Sequence, residues 1–436
     1  MSRDPRFDGR FFVAVKTTGI FCRPICPANL PKEENVEYFS SQALAVSAGY
    51  RPCLRCRPES APHSWAWKGA ETTFLRALTL IEQGELDGSL ETLASRLGIS
   101  DRYLRQLFQR HLGMPPKQYA QIQQLMFAKQ LLHTSQISIT EVAYASGFQS
   151  TRRFNDAFQK LFRLTPTQVR RERAALPSRN HLSLAFRGPF DWAHMLDFYR
   201  LRAIEGMELI DEQSYQRHFV LGEGTGWFKA SMAQSHLDIE FEMERLSDLR
   251  HLVARLRRMF DLDADLISIE AHLEQLAPGL VRRTGIRIPG VWNAWEAGVR
   301  AVLGQQVSVK AAIGQLNLLV STLAASEGST RYFPTPEQVQ MSDLSFLRMP
   351  ERRKETLKRL ADYVRLHPMD SPMAWLSLSG IGPWTVDYAQ LRGESRSHCF
   401  LTGDLIVKKA LAKFPQLTAE SVAPWGSYAT FHCWSH

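Results

Sequence analysis

Four cysteines crowd the N-terminal end of the sequence: Cys22 and Cys26 form a C-x3-C pair, Cys53 and Cys56 a C-x2-C pair, and 26 residues separate the two pairs. Two short thiol pairs joined by one loop can converge on a single tetrahedral ion, and the ion that four thiolates select is Zn2+. Arg23, Arg51, Arg55 and Arg57 interleave with these ligands, and Thr17, Thr18 and Gly19 precede them. A metal-bound thiolate is a nucleophile, and guanidinium groups around it point to a phosphate backbone as what approaches. A zinc knuckle that only stabilises a small fold is the competing reading. A second place with chemistry lies near the other end. Leu378-Ser379-Gly380-Ile381-Gly382-Pro383-Trp384-Thr385 makes a Gly-x-Gly turn ahead of a helix, and Asp404 follows about 20 residues later in Phe400-Leu401-Thr402-Gly403-Asp404-Leu405. Amides at such a turn can face a phosphate, and Pro383 suits a first helical position.

What must hold these groups in place is bounded by composition. A chain of 436 residues, 44% apolar and 22% charged, is long enough for two to four domains of ordinary globular make-up. Residues 1–175 hold 24 Lys and Arg against 15 Asp and Glu, whereas residues 176–436 hold 29 against 29, so the net charge of +9 sits wholly in the front part. That asymmetry suggests a front that faces nucleic acid. No run approaches the ~18 apolar residues of a membrane span, and Met1 to Phe11 lacks an apolar signal region. The expected location is the cytoplasm, with no membrane partner. Reducing conditions there disfavour disulfides, so the clustered cysteines read as ligands, and the isolated Cys399 and Cys433 as buried or inert thiols.

Proline-broken stretches near 58–63 and 174–180 read as linkers. Between them the apolar spacing is helical and repeats. Thr92-Leu93-Ala94-x2-Leu97-Gly98-Ile99-Ser100 is echoed by Glu141-Val142-Ala143-x2-Ser146-Gly147-Phe148-Gln149, and Leu107-Phe108 by Ala157-Phe158, at a separation of 49 to 50 residues. Each copy reads as helix, glycine turn, helix, the geometry of a helix-turn-helix. The second helices carry Arg102, Arg105 and Arg110 in one copy, and Thr151, Arg152, Asn155 and Lys160 in the other. After residue 180 the period changes. Residues 181–186, 219–222 and 237–241 read as strands of a small α+β subdomain, and beyond about residue 250 the pattern is mostly helical.

The paired repeat resembles the AraC-type double helix-turn-helix. Together with Thr17 to Cys26 and Tyr50 to Pro58, it is similar to the regulatory half of Ada-type alkylation-response proteins. That resemblance implies that all four cysteines ligate one Zn2+ and that Cys22 accepts a methyl group from a methylphosphotriester in DNA. Methylation would remove one negative charge from a surface that meets phosphates. A unit charge about 6 Å from a phosphate is worth roughly 0.7 to 3 kcal/mol at dielectric constants between 80 and 20, enough for a switch in DNA affinity. The Pro-Cys-His-Arg motif of guanine-repairing relatives does not occur in the sequence.

Residues 181–436 resemble the AlkA-type 3-methyladenine DNA glycosylase II family through Phe190-Asp191-Trp192, Val302 to Val309, Phe333-Pro334-Thr335-Pro336, the Gly-x-Gly hairpin, Gly403-Asp404 and Pro424 to Tyr428. The resemblance implies a helix-hairpin-helix enzyme that flips an alkylated purine into a pocket. Asp404 is then catalytic, Trp384, Tyr388 and Trp434 lie at the base pocket, and Gly380, Gly382 and Thr385 meet the DNA backbone. Indole faces attract a cationic base by about 0.5 to 2 kcal/mol per contact. Asp387, in the first turns after the hairpin, competes with Asp404 for the catalytic role. Trp384 stands where lyase-active relatives carry lysine, which implies a monofunctional glycosylase. Gln306 stands where the family inserts an apolar wedge into the emptied stack.

The expected fold class is therefore multidomain, mainly α with α+β parts. It comprises a small zinc-binding α/β domain with four cysteine ligands over 1–66, an all-α double helix-turn-helix over 67–175, an α+β subdomain over 176–255 and a helix-hairpin-helix bundle over 256–436. Expected DNA contacts are Arg23, Arg51, Arg102, Arg105, Arg152, Asn155, Gln306 and the hairpin residues. The expected partner is double-stranded DNA, both damaged and promoter, with RNA polymerase as a further candidate, and the expected state is a monomer. The alternative is a DNA-binding regulator whose glycosylase half only clamps duplex.

Overall fold

In the computed structural model the chain divides into two compact units, Met1–Gln124 and Leu125–His436. The residues described are 8, 10–53, 55, 56, 58, 65–82, 84, 86, 89–171, 180–324, 326, 327 and 330–435. Arg57 and the expected linkers over 59–63 and 174–179 lie outside them.

The first unit opens with a four-stranded sheet, β1 (Phe12–Val15), β2 (Ile20–Cys22), β3 (Val36–Phe39) and β4 (Arg51–Pro52), in the order β3-β1-β2-β4. Helix α1 (Gln42–Ser47) covers it, capped by the Ser41 hydroxyl. Its core is small: Phe12, Ala14, Phe21 and Ala45, with Phe39 and Tyr50 at the margin. Three helices follow, α2 (Trp65–Glu82), α3 (Leu90–Arg96) and α4 (Asp101–Leu112), before the long α5 (Pro116–Thr134), within which the boundary between the units falls.

The internal repeat is structural. In the second unit α6 (Ile139–Ala145) and α7 (Thr151–Phe162) have the same lengths as α3 and α4, 7 and 12 residues. Serine starts all four helices. The hydroxyls of Ser89, Ser100, Ser138 and Ser150 accept hydrogen bonds from the amides of Thr92, Tyr103, Glu141 and Arg153, and at Ser138 the Glu141 side chain completes a capping box. Gly98 (φ +68°) and Gly147 (φ +85°) make the turns in the left-handed region where a Cβ is penalised. Leu93, Ala94, Leu104, Leu107 and Phe108 pack on Phe74 and Ile81 of α2 in the first copy. In the second copy Val142, Ala143, Phe154 and Phe158 join Leu131 and Leu132 of α5. A short α8 (Pro166–Arg171) closes that copy.

Next comes a five-stranded antiparallel sheet with the order β5-β9-β8-β7-β6, from β5 (His181–Ala185), β6 (Glu208–Ile210), β7 (Ser214–Leu221), β8 (Gly224–Met232) and β9 (His236–Met243). The strand expectations fall on β5, β7 and β9. The short β6 and the long β8, whose Gly-Thr-Gly start looks like a turn, fall on none of the expected strands. Helix α9 (Trp192–Arg200) lies between β5 and β6, and the sheet's core is continuous with that of α6 and α7. The helical remainder runs through α10 (Leu249–Met259), α11 (Leu266–Leu276), α12 (Ala294–Gly304), α13 (Val309–Leu323), α14 (Pro336–Met341), α15 (Glu351–Leu366), α16 (Pro383–Glu394), α17 (Leu405–Leu411) and α18 (Gly426–Trp434). About half of the chain is helical; among the described residues the sheets lie in the two α+β parts, apart from a two-stranded pair within the bundle, Ser326–Glu327 with Thr330–Arg331.

A ring of four buried charges ties sheet to bundle. Arg217 of β7 bonds Glu208 of β6 (3.1 Å) and Glu296 of α12 (2.5 Å), and Arg300 of α12 bonds the same two carboxylates (3.2 and 2.9 Å). Burial alone pushes the Glu296 carboxyl up, but the guanidinium groups of Arg217 and Arg300 hold it down at about 2. Two arginines and two glutamates satisfy one another, so removing one member strands the others. Glu296→Ala is expected to cost unit Leu125–His436 about 3 to 5 kcal/mol in denaturant unfolding. A cost below about 1 kcal/mol, the range of surface pairs, would show that the ring is solvated.

Candidate functional site

The front site is built by strand pairing. Strands β2 and β4 run parallel, with Ile20 beside Arg51 and Phe21 beside Pro52, and the Cys53 amide donates to the Phe21 carbonyl (3.0 Å). Cys22 at the end of β2 and Cys53 just after β4 therefore emerge side by side. Cys26 returns through a turn whose amide donates to the Arg23 carbonyl (3.0 Å). All four sulfurs lie within 4.8 Å of one another. A tetrahedral ion with bonds of about 2.3 Å requires S···S separations of about 3.8 Å, so this donor set fits Zn2+. The proton chemistry agrees. Hydrogen bonding from Cys22 lowers the Cys56 thiol to about 5 and drives that of Cys22 well above its ordinary value, so the thiols alone share protons and a dication is what lets all four ionise together.

The arginines around this cluster separate into two kinds. Arg51 and Arg55 are exposed beside the ligands. Arg23 is not: its guanidinium forks onto Asp8 and donates to the Cys56 carbonyl (3.3 Å), its amide donates to Cys56 Sγ (3.3 Å), and its side chain is 16% exposed. The expected phosphate contact at Arg23 thus becomes an internal brace of the ligand loop, because Asp8 supplies a closer anion. On the second helices of the repeat, Arg102, Arg105, Arg152 and Asn155 all face outward, with Arg105 paired to Asp101 (3.0 Å).

The rear site is a cavity of about 430 Å³. Asp404, Trp384, Tyr388 and Trp434 all line it, and Asp387 is not among its lining residues. Asp404 is the N-cap of α17. Its Oδ1 accepts from the amides of Ile406 (2.9 Å) and Val407 (3.2 Å) and from Trp434 Nε1 (3.0 Å), which fixes the plane of the carboxylate. The walls are stacked aromatic pairs, Trp384 on Tyr388 (5.3 Å) and Trp434 on Phe198 (6.2 Å). At Asp387, outside this lining, burial pushes the carboxyl above its ordinary value, with His398 opposing the shift.

The cavity extends beyond the bundle. Phe198 and Arg202, from α9 and the turn after it, form one wall together with His194. The Arg202 guanidinium lies 3.7 Å from the Phe198 ring centre and that of Arg392 lies 4.7 Å from it, while Arg392 also donates to the Tyr388 hydroxyl (2.9 Å). Burial lowers Arg202 to about 10. The four-residue spacing of Phe198 at the end of α9 and Arg202 just after it was the available signal.

The hairpin lies beside the cavity. Gly380 (φ +93°) has no room for a Cβ, which would meet Thr356 Oγ1 at 2.1 Å. Gly382 is half-exposed and caps α16, with Pro383 opening the helix. Thr385 is not an outward contact. It is 2% exposed, and its hydroxyl accepts from Gln305 Nε2 (3.2 Å), because the first turn of α16 rotates position 385 inward against the loop after α12. Among the described residues, no helix is long and apolar enough to cross a membrane.

Three family profiles match in sequence order: the metal binding domain of Ada over 1–59, a helix-turn-helix domain over 93–172 and the AlkA N-terminal domain over 181–293. The chain is 34% identical over its whole length to a Mycobacterium tuberculosis protein named "probable bifunctional transcriptional activator/DNA repair enzyme AlkA", covering 94% of that protein. It is 33% identical to Escherichia coli DNA-3-methyladenine glycosylase 2, over 58% of this chain and 96% of that one. It is 35% identical to Escherichia coli bifunctional transcriptional activator/DNA repair enzyme Ada, over 39% of this chain and 47% of that one. The four cysteines are accordingly the ligand set of an Ada-type metal-binding domain suited to one Zn2+. With a full-length relative, the three profiles and both sites in place, the chain belongs to the family in which an Ada-type sensor and activator is fused to an AlkA-type glycosylase.

Proposed function

We propose that the chain repairs alkylated DNA and regulates that repair. It excises alkylated purines of the 3-methyladenine type, and it senses backbone methylation through Cys22. The observation that carries the reading is the convergence of Asp404, Trp384, Tyr388 and Trp434 on one cavity beside a hairpin that can hold the backbone. The relatives' names support both halves.

In the rear half an extruded purine stacks between the aromatic pairs. An alkylated purine is already a good leaving group, so the residues need chiefly to stabilise the sugar cation as the N-glycosidic bond breaks. Asp404 faces that charge and orients the water that completes hydrolysis. Its fixed plane spares the reorganisation that a free carboxylate would need. Arg202, itself in the wall, and Arg392 place positive charge against the Phe198 ring, which offsets part of the cation–π preference for charged lesions.

In the front half Zn2+, when bound, supplies the positive charge that keeps four sulfurs ionised. Cys22 Sγ attacks the methyl carbon of a phosphotriester, the S–C bond forms as the C–O bond breaks, and the phosphate leaves as an ordinary diester anion. Cys26, Cys53 and Cys56 hold the ligand frame, with Arg23 and Asp8 bracing it. Arg51 and Arg55 attract the backbone. The outward residues of α4 and α7 read promoter DNA, and the loss of one negative charge at Cys22 raises affinity for it.

The division of labour follows 1–66, 67–175, 176–255 and 256–436. The protein acts as a monomer on the bacterial nucleoid in the cytoplasm and meets RNA polymerase at its promoter. One assay tests the reading. Purified protein incubated with methylated duplex is expected to release free methylated purine catalytically and to gain a single methyl, on Cys22, by peptide mass spectrometry. Release without methyl gain would leave only the glycosylase. Methyl scattered over several thiols would remove Cys22 from its role.

A further inference from the structure

The loop between α12 and α13 runs along the rim of the cavity: Leu303 and Gly304 on one side and Val307 and Val309 on the other all line it. Both ends of the loop are fixed. Gln305 Nε2 donates to the Gly380 carbonyl (3.1 Å) and to Thr385 Oγ1 (3.2 Å), which bolts the loop to the hairpin, and the Ser308 hydroxyl caps α13 by accepting from the Ala311 amide (3.2 Å). Between these anchors Gln306 is exposed, with φ +56°. A non-glycine residue in the left-handed region costs on the order of 1 kcal/mol, and it persists where the surroundings impose it at functional sites. Val307 faces the cavity and therefore the extruded base. Gln306 is the side chain left at the tip, between the cavity mouth and the element that holds the backbone. That is where the gap in the stack must lie once a base has moved into the cavity.

We propose that Gln306 recognises the orphaned base opposite the lesion by hydrogen bonding, so that excision depends on what stands there. This rests on the glycosylase reading above. A carboxamide carries a donor and an acceptor side by side and can be turned over. It therefore pairs with the edge of cytosine, which offers N4–H and N3, or of thymine, which offers N3–H and O4. A pyrimidine is the ordinary partner of a purine lesion and the smaller base for an anchored tip to meet. An abasic site offers the amide nothing, and a purine crowds it. A purely apolar tip would fill the gap alike in every case.

The experiment uses the full zinc-loaded chain and duplexes with one 7-methylguanine opposite cytosine, thymine, adenine, guanine or an abasic site, under single-turnover conditions. Wild type is compared with Gln306→Leu and Gln306→Ala. The cost of opening each duplex is common to all three proteins, so the ratio of wild-type to variant rate isolates the tip. One or two neutral hydrogen bonds correspond to about 10-fold. The wild-type/Gln306→Leu ratio is expected to be about 10-fold higher opposite either pyrimidine than opposite the abasic site, with Gln306→Ala giving the same pattern at lower absolute rates. A ratio that is the same opposite every partner overturns the inference while leaving the glycosylase intact. Absence of release from all five duplexes by wild type, together with no release of 3-methyladenine from methylated duplex, overturns both readings.

Discussion

Asp404→Asn is expected to lower the rate of alkylated-purine release by 10²- to 10⁴-fold, the range for loss of a positioned general base, with thermal stability and duplex affinity unchanged. The substitution is sparing because asparagine caps a helix about as well as aspartate. The carboxamide oxygen can still accept from the amides of Ile406 and Val407 and from Trp434 Nε1, so α17 and the indole wall stay in place. What disappears is one negative charge and one proton acceptor at the cavity. The loss belongs in the chemical step rather than in binding, so single-turnover rates should fall while half-saturating DNA concentrations hold. Equal release by wild type and Asp404→Asn would show that Asp404 does not carry the chemistry, whereas no release by either would support the alternative in which this half only clamps duplex. A parallel Asp387→Asn variant, outside the cavity lining, should retain its rate.

Removing the metal should undo the front sheet. Its core consists of four buried apolar residues with two more at the margin, spread over about 45 residues of chain. Ordering each residue costs about 1 to 2 kcal/mol in backbone entropy, far beyond what so few side chains return. Structural zinc contributes apparent free energies of about 10 to 16 kcal/mol in comparable small domains, so the ion is the larger part of this core. A strong chelator at neutral pH, or Cys53→Ala, is therefore expected to abolish one equivalent of zinc and to open residues 8–56 to limited proteolysis. Methyl acceptance should be lost with it, whereas base release from damaged duplex persists. A protease-resistant front after complete metal loss would show that packing, not coordination, holds the sheet.

Much of this was legible before any coordinate, and the reasons are local. Cysteine spacing and serine-glycine punctuation act within a few residues, so Cys22, Cys26, Cys53 and Cys56 converge and both repeats fold as read. Groups whose partners are remote could not be read. Arg23 looks like any basic residue until Asp8, 15 positions away, is brought against it. Thr385 looks polar and outward until Gln305, 80 positions earlier, folds over it. Glu208, Arg217, Glu296 and Arg300 look like surface charges, since nothing short of the sheet docking on α12 tells a chain which charges will be buried. Phe198 and Arg202 belong to the same class: the aromatic spacing of one helix is visible, but the cavity it completes is made by another.

The two unpaired cysteines carry a consequence of a different kind. Cys399 and Cys433 are buried, and burial pushes both thiols up to about 12, so they stay protonated and sheltered. A cell under alkylating attack bathes its proteins in the same electrophiles that damage its DNA, and those reagents seek thiolates first. The part of this chain that must turn over many times offers them no reactive sulfur among its cysteines, while the part that is used once offers four. A sensor consumed by stray reagent still registers exposure, but a catalyst consumed by it would fail at the moment of greatest need. Chemical dose thus falls on the expendable half of the molecule.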